Sequence, residues 1–112
     1  MKVLSILTLH PASMREPSQE DMARMGAFIK EMKAKGVLID TGGALPGSLE
    51  FRVARKNGAD TITDGPFTES KEIVGGFALF EVSSRDEALA WTRRFLDLMG
   101  DATCELHEVS SV

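Results

Sequence analysis

Two segments with helical periodicity, each about 16 residues long, stand among short β-rich runs, and this order of elements limits the fold most strongly. The order is strand, helix, strand, then a hairpin, then strand, helix, strand. Two helices of this length cover only one face of a four- or five-stranded sheet. The sequence therefore predicts an α+β protein in which mainly antiparallel strands carry both helices on one side.

The first helix is bounded by residues that favour helix ends. Ser18 is a good N-cap, and Asp21 completes a pair that resembles a capping box. Gly36 supplies the expected C-terminal stop. One helical stripe between them consists of Met22, Met25, Ile29 and Met32. We interpret this stripe as packing against the sheet and nothing more.

The second helix carries the same kinds of signal. Ser84 and Glu87 form a predicted capping box, and Gly100 ends the helix. Its apolar stripe consists of Ala88, Trp91, Phe95 and Leu98. The spacing of these four residues places them on one face, which we expect to lie on the same sheet as the first helix.

The strands follow from alternating or continuous apolar patterns. We predict them at residues 3–9, 37–39, 49–55, 60–63, 73–82 and 103–109. Asn57-Gly58, between the third and fourth, is a strong hairpin signal. The runs at 3–9 and 73–82 carry apolar residues on both faces, as central strands do. The order predicts a ferredoxin-like fold with one extra hairpin.

Those two central runs also predict the quaternary structure. Helices on one side leave the apolar residues of the other sheet face uncovered, and a soluble monomer rarely exposes an apolar patch of that size. We therefore predict a homodimer that packs sheet face against sheet face, which makes the assembly a dimeric α+β barrel.

Composition limits the class of protein. The chain has 112 residues, a formal charge of −4 and 43% apolar residues, so we expect a single domain over residues 1–112. Its only cysteine, Cys104, excludes an intrachain disulfide framework and favours a cytoplasmic location. The acidic balance argues against nucleic-acid binding, and no apolar run approaches the roughly 20 residues of a membrane span. No nucleotide-binding motif occurs, so we expect no cofactor.

The most specific motif is residues 64–72, Asp-Gly-Pro-Phe-Thr-Glu-Ser-Lys-Glu. Asp64 favours an Asx-turn, and the glycine and proline after it make a rigid corner. Gly75 and Gly76, inside the next predicted strand, indicate a bulge or the close approach of another group.

At this motif and the glycines after it, the sequence resembles the DGPF family, part of the YCII-related (YciI-like) group, and the resemblance extends over essentially the whole chain. It implies a ferredoxin-like dimeric α+β barrel.

The resemblance also implies a site. In YciI-like relatives a histidine–aspartate pair lines a cleft and is proposed as catalytic, and one related enzyme removes chloride from a chlorinated hydroxyquinol. Asp64 lies in the matching motif, and His10, at the end of the first strand, is the local candidate for the histidine. If the two strand ends are adjacent, the carboxylate orients the imidazole and raises its basicity.

Both residues also have plainer interpretations. His10 is equally a polar strand-end residue exposed to water, and Asp64 is equally a turn-forming aspartate. His107, beside two glutamates in the last strand, is interpreted as an edge or surface residue. No H-x-x-E or H-x-H spacing occurs, so we predict no metal site.

The remainder of the motif supplies the substrate-binding candidates, which are Phe67, Glu69, Lys71 and Glu72. Lys71 binds a carboxylate or phenolate if it faces the cleft, and otherwise belongs to a solvated ion-pair cluster. Three functions therefore stay open. They are a small-molecule enzyme that uses His10 and Asp64, a non-catalytic ligand-binding protein with the same cleft, and an interaction module without chemistry.

Overall fold

The computed structural model describes residues 1–13, 16–45, 49–65 and 73–110. Two α-helices lie in these ranges, α1 (Gln19–Ala34) and α2 (Arg85–Met99), and Pro11–Ser13 forms a single 3-10 turn. The strands are β1 (Lys2–Leu9), β2 (Leu38–Gly43), β3 (Phe51–Lys56), β4 (Ala59–Asp64), β5 (Ile73–Glu81) and β6 (Thr103–Val109). Every predicted helix and strand is present. The largest difference is in β2, which continues to Gly43, four residues beyond the predicted end at residue 39.

Four of the strands form the main sheet, in the order β2-β5-β1-β6, and every neighbouring pair is antiparallel. Within the described residues, β3 and β4 form a separate two-stranded hairpin. β1 and β5 occupy the centre of the main sheet, as predicted. This is the ferredoxin-like strand order, so the predicted α+β fold class is confirmed. In the described ranges, no helix is long and apolar enough to cross a membrane.

The core lies between one face of the main sheet and both helices. β1 directs Val3, Ser5 and Leu7 toward the helices, and all three are buried. The buried cluster around Val3 draws on both helices, β2, β5 and the chain just after β5, and contains Phe28, Met32, Val37, Leu38, Phe80, Val82 and Ala88. Apolar burial of this kind is the main stabilising contribution to the fold.

The predicted stripe of α1 is wrong at its first residue. Met22 is 54% exposed, whereas Phe28, which the stripe omits, is only 6% exposed. At about 100° per residue, Met22 lies about 120° around the helix axis from Phe28. The face that meets the sheet is therefore centred on Phe28 and Met32, and Met22 lies beyond its margin.

The two helix starts differ in their caps. At α1, the Asp21 N–H donates to Ser18 Oγ (3.0 Å) and the Ser18 N–H donates to the Asp21 carboxylate (3.1 Å), so the predicted capping box is confirmed. At α2, the Glu87 N–H donates to Ser84 Oγ (3.1 Å), but the Glu87 carboxylate accepts from Ser83 instead. The predicted reciprocal bond to Ser84 is wrong because one Glu87 oxygen gains two donors, the amide and the hydroxyl of Ser83.

The sheet face opposite the helices, which we call the outer face, is not covered by either helix. Strand alternation and register give it an apolar centre that consists of Leu4, Ile6, Phe77 and Leu79. Phe77 is 43% exposed, and the other three are partly exposed. Among the residues that the structure describes, the predicted apolar outer face is therefore present and partly exposed.

Candidate functional site

A cavity of about 310 Å³ lies between the helix-facing side of the main sheet and the two helices. Its strand side is formed where β1 ends and β5 and β6 begin, with Leu7 and Cys104 among the lining residues. Large apolar side chains from the helices form the opposite side, namely Met25, Phe28, Ile29, Met32, Phe95 and Met99. The lining is predominantly apolar, which suits the body of a small organic molecule.

Four glycines lie where β2 and β5 meet beside the cavity, and three of them, Gly43, Gly75 and Gly76, are on its side of the sheet, whereas Gly42 faces the Phe77 ring on the outer side. Gly42 and Gly43 end β2, and Gly75 and Gly76 lie opposite them near the start of β5. A Cβ atom at Gly76 would lie 2.5 Å from the Gly42 carbonyl oxygen, and one at Gly75 would lie 2.7 Å from Leu9 Cδ1. These contacts, with the irregular register beside Gly75, confirm the predicted bulge and close approach.

Gly43 differs from its glycine neighbours. A Cβ atom added there would meet no heavy atom closer than the Gly75 carbonyl oxygen, at 3.9 Å. Register places Gly43 on the same sheet face as Thr41, which also lines the cavity. A side chain at position 43 would therefore occupy cavity space without displacing the backbone.

The polar groups of the cavity are few and already paired. Thr41 Oγ1 donates to the Phe77 carbonyl oxygen, and Thr92 Oγ1 donates to the Ala88 carbonyl oxygen, each at 2.8 Å. In the part of the chain that the structure describes, no buried side-chain nitrogen or oxygen lacks a hydrogen-bond partner. Among these residues, none that lines the cavity is charged.

Cys104 supplies the only thiol of the protein, and this thiol faces the cavity. Burial raises the pKa of the Cys104 thiol, and a hydrogen bond from Ser5 opposes this rise only in part. A raised pKa keeps the sulfur protonated and poorly nucleophilic at neutral pH. Cys104 is therefore a slowly reacting thiol rather than a catalytic nucleophile, and the rate of its modification reports cavity occupancy.

The two helices are tied together beside Phe28. The rings of Phe28 and Trp91 lie 5.9 Å apart, and the Arg94 guanidinium lies 5.0 Å from the centre of each. Arg94 also donates to both carboxylate oxygens of Glu31, at 2.6 and 2.9 Å. Hydrogen bonds from Arg94, with a smaller contribution from Lys35, lower the pKa of Glu31 to about 2. This contact braces α1 against α2 at the helix side of the cavity.

The structure places the two predicted catalytic residues at strand ends, but in different sheets. His10 directly follows β1 of the main sheet and is exposed. Asp64 is the last residue of β4, opposite Phe51 in the hairpin, and is also exposed. That the two side chains act as a pair stays a prediction.

The four predicted substrate-binding residues, Phe67, Glu69, Lys71 and Glu72, lie outside the described residues. His107 lies on edge strand β6 with an exposed side chain, as predicted.

The sequence interpretation missed most of the residues that line the cavity. The sequence pattern assigns Met25 and Met32 to packing alone and omits Phe28, and it uses Cys104 only to exclude disulfides. The glycine pairs 42–43 and 75–76 were a sequence signal for the cavity. Glycines on adjacent strands lack side chains, so they leave space between the sheet and the large side chains of the helices.

The described ranges contain no group of three His, Cys, Asp or Glu that could hold a metal ion.

Comparisons with known proteins agree with this fold. The family model for the YCII-related domain matches residues 1–95. No curated protein sequence matches the chain. Among solved structures, the chain is similar to the 5-chloro-2-hydroxyhydroquinone dehydrochlorinase from Burkholderia phenoliruptrix AC1100 in complex with 2,5-dihydroxybenzoquinone. The TM-score is 0.56 and the identity 18%, over 98% of this chain and 94% of that one, so the likeness concerns the fold.

Proposed function

The chain belongs to the YCII-related domain family, and we propose that it is a homodimer that carries out acid–base chemistry on a small ring compound bound in the cavity. The observation that carries this proposal is the apolar cavity of about 310 Å³ at the ends of the central strands. Its volume lies near the lower end of the range for small-molecule sites, about 300–1,000 Å³. The structural neighbour, a dehydrochlorinase of a chlorinated hydroquinone in complex with a benzoquinone, supports a ring compound as the ligand class.

His10 is proposed as the group that accepts and returns the proton. It follows Leu7, which lines the cavity, by three residues. A neutral imidazole is suited to proton transfer near neutral pH, and a carboxylate that accepts from its second nitrogen fixes the tautomer. We assign that orienting role to Asp64.

The oxygen substituents of the ring are proposed to meet the segment between β4 and β5. Four of its residues are the binding candidates, Phe67, Glu69, Lys71 and Glu72. The segment precedes Gly75, which lines the cavity, by only a few residues in sequence. Lys71 is assigned to a phenolate oxygen, and Phe67 to the face of the ring.

A second candidate function is ligand binding without chemistry. It is favoured by one observation: among the described residues that line the cavity, none is charged, and the only titratable group is a thiol with a raised pKa. In that case the same ring compound binds, and Asp64 serves only the turn. Turnover, rather than binding, separates the two candidates.

The cavity is tested by protection of Cys104. Because this is the only thiol, modification by methyl methanethiosulfonate, followed by mass spectrometry, reports one site. We expect a saturating phenol from a panel that includes 4-chlorophenol and resorcinol to slow modification by about tenfold or more, since a bound ring excludes the reagent. Gly43→Val is expected to weaken this protection, because its side chain takes up cavity volume at the β2 edge of the sheet and leaves less room for a ring beside Cys104 on β6.

Gly26→Ala is the matched control for Gly43→Val. Gly26 is exposed on α1, and a Cβ atom there meets no heavy atom within 4 Å, so protection by the phenol should equal that of the wild type. Equal protection in Gly43→Val and the wild type would show that the ring does not occupy the β2 end of the cavity. Calorimetric titration with 2,5-dihydroxybenzoquinone supplies an independent measure of the same comparison.

The homodimer is tested at the outer face. Ile6 lies between Phe77 and Glu105 in the register of the sheet, so Ile6→Lys places a charge in the centre of the proposed contact. We expect light scattering to give twice the chain mass of 12.2 kDa for the wild type and a single chain mass for Ile6→Lys. Ala90→Lys, which adds the same charge at an exposed position of α2, should remain dimeric. A monomeric wild type at micromolar concentration would contradict the proposal.

A further inference from the structure

Ser5 and Thr92 are the two buried polar side chains among the described residues, and both line the cavity. Ser5 lies in the middle of central strand β1, and Thr92 lies in the middle of α2. Each is only 6% exposed. A hydroxyl group in an apolar interior costs free energy unless it is hydrogen-bonded. The hydrogen bonds of these two groups therefore decide what they can offer to a ligand.

The single hydrogen of each hydroxyl group is already donated within the protein. Thr92 Oγ1 donates to the Ala88 carbonyl oxygen, which can only accept, at 2.8 Å. Burial raises the pKa of the Cys104 thiol, and the hydrogen bond from Ser5 opposes that rise, which is the effect of a donor to sulfur. A hydroxyl group has one hydrogen and two acceptor lone pairs. Both side chains therefore keep the capacity to accept and have no hydrogen left to donate.

Thr41 repeats this pattern at the β2 edge of the cavity, where its hydroxyl donates to the Phe77 carbonyl oxygen. Of the lining residues that the structure describes, none is charged, and the only titratable one is Cys104, whose thiol is a weak donor. Strand N–H and C=O groups point along the sheet toward neighbouring strands rather than toward the helices. The polar side chains of the cavity thus offer oxygen acceptors, and no cation, to a ligand.

We propose that Ser5 and Thr92 are specificity-determining residues, which accept a hydrogen bond from an un-ionised hydroxyl or amino group on the bound ring. This inference rests on the proposed small-molecule cavity and narrows its ligand class to neutral hydrogen-bond donors. An anionic oxygen in the same place would meet lone pairs and an apolar lining, with no cation to offset its desolvation. The oxygen assigned to Lys71 is a different substituent of the ring, on the side of the segment between β4 and β5.

The expected selectivity is moderate because both hydroxyl groups keep their own hydrogen bonds when the cavity is empty. A ligand without a donor leaves neither group wholly unpaired, so it is not rejected as strongly as by a site whose donors await the ligand. The ligand's own hydroxyl group, however, loses its hydrogen bonds to water and regains one only from Ser5 or Thr92. Removal of either acceptor should therefore weaken ligands with a donor and spare those without one.

The inference is tested with two ligands of nearly the same shape, 4-chlorophenol, which has a donor, and 1-chloro-4-fluorobenzene, which has none. Thr92→Val removes the hydroxyl group and keeps the branched shape, and the Ala88 carbonyl still accepts from the amide of residue 92 within α2. In calorimetric titration, we expect Thr92→Val and Ser5→Ala each to raise the dissociation constant of 4-chlorophenol by about fivefold. The constant for 1-chloro-4-fluorobenzene should stay within about twofold of the wild type.

Two further variants serve as controls. Thr92→Ser keeps the hydroxyl group, so the ratio of the two dissociation constants should match the wild type. Thr61→Val makes the same change as Thr92→Val at an exposed position of β4, and both constants should be unaltered. If Thr92→Val and Ser5→Ala weaken both ligands equally, the effect is one of packing, which would overturn the selection by hydroxyl groups and leave the cavity intact. A wild type that binds neither ligand would overturn the proposed cavity as well.

The ionisation of a bound ligand supplies the second readout. 4-Nitrophenol ionises near neutral pH, and its phenolate absorbs visible light strongly. Because a cavity that takes the neutral form raises the pKa of the bound phenol, wild-type protein should reduce the phenolate band at a pH equal to the pKa of the free ligand. Affinity should correspondingly fall as the pH rises through that value. An unchanged or stronger phenolate band, at concentrations that saturate binding, would overturn the inference and favour contact with a cation such as Lys71.

Discussion

Replacing Phe28 with alanine is expected to lower the free energy of unfolding by about 3–5 kcal/mol, a large share of the roughly 5–15 kcal/mol that holds a domain folded. The side chain is 6% exposed and belongs to both the core and the helix side of the cavity. Its removal deletes the ring contact with Trp91 and the contact beneath the Arg94 guanidinium. It also joins new empty volume to a cavity that already exists. Urea unfolding followed by circular dichroism measures the loss.

Met22→Ala is the control for this prediction. Met22 lies on the same helix but is 54% exposed, so its truncation should change stability by less than about 1 kcal/mol. If Phe28→Ala and Met22→Ala cost the same, the helix face assigned to the core is wrong. If Phe28→Ala leaves stability unchanged but enlarges the set of phenols that protect Cys104, Phe28 serves the cavity alone.

Replacing His10 with alanine is expected to lower turnover of a ring substrate by about 10²- to 10⁴-fold, the usual contribution of a general acid or base. The side chain is exposed, so the free energy of unfolding should change by less than about 1 kcal/mol. The assay measures chloride release from 5-chloro-2-hydroxyhydroquinone, together with turnover of phenols and lactones. Added imidazole should restore part of the rate to His10→Ala, which a purely structural role would not allow.

Unchanged turnover in His10→Ala would remove His10 from the mechanism. Protection of Cys104 by phenols without turnover of any substrate in the wild type would instead favour the non-catalytic candidate. Neither result depends on the homodimer, because binding in the cavity, turnover and chain mass are measured separately.

The order of elements was predictable because each element depends on local signals. Ser18 and Asp21 start α1 through bonds within one turn, and Asn57-Gly58 sets the hairpin through its own φ angles. These contacts need nothing from distant parts of the chain. The same locality explains the error at α2, because Ser83 and Ser84 both lie within reach of Glu87, and sequence spacing does not decide between them.

The cavity was harder to predict because it depends on which residues of β2 pair with β5 and on which face of α1 packs against the sheet. The sequence shows two glycine pairs, but only the register of β2 with β5 brings Gly43 beside Gly76. The face of α1 that meets those glycines depends on the helix rotation, which places Phe28 inward and Met22 outward. Long-range pairing of this kind is not encoded in any single segment.

The open position at Gly43 has a consequence for how such a protein acquires new ligands. The residue lies at the end of an edge strand, where an added carbon displaces no backbone atom but takes volume from the cavity that Phe28 and Cys104 also line. Substitutions at this one position can therefore change the size of ligand that the cavity accepts, by about one methyl group at a time. The fold of the four-stranded sheet stays the same.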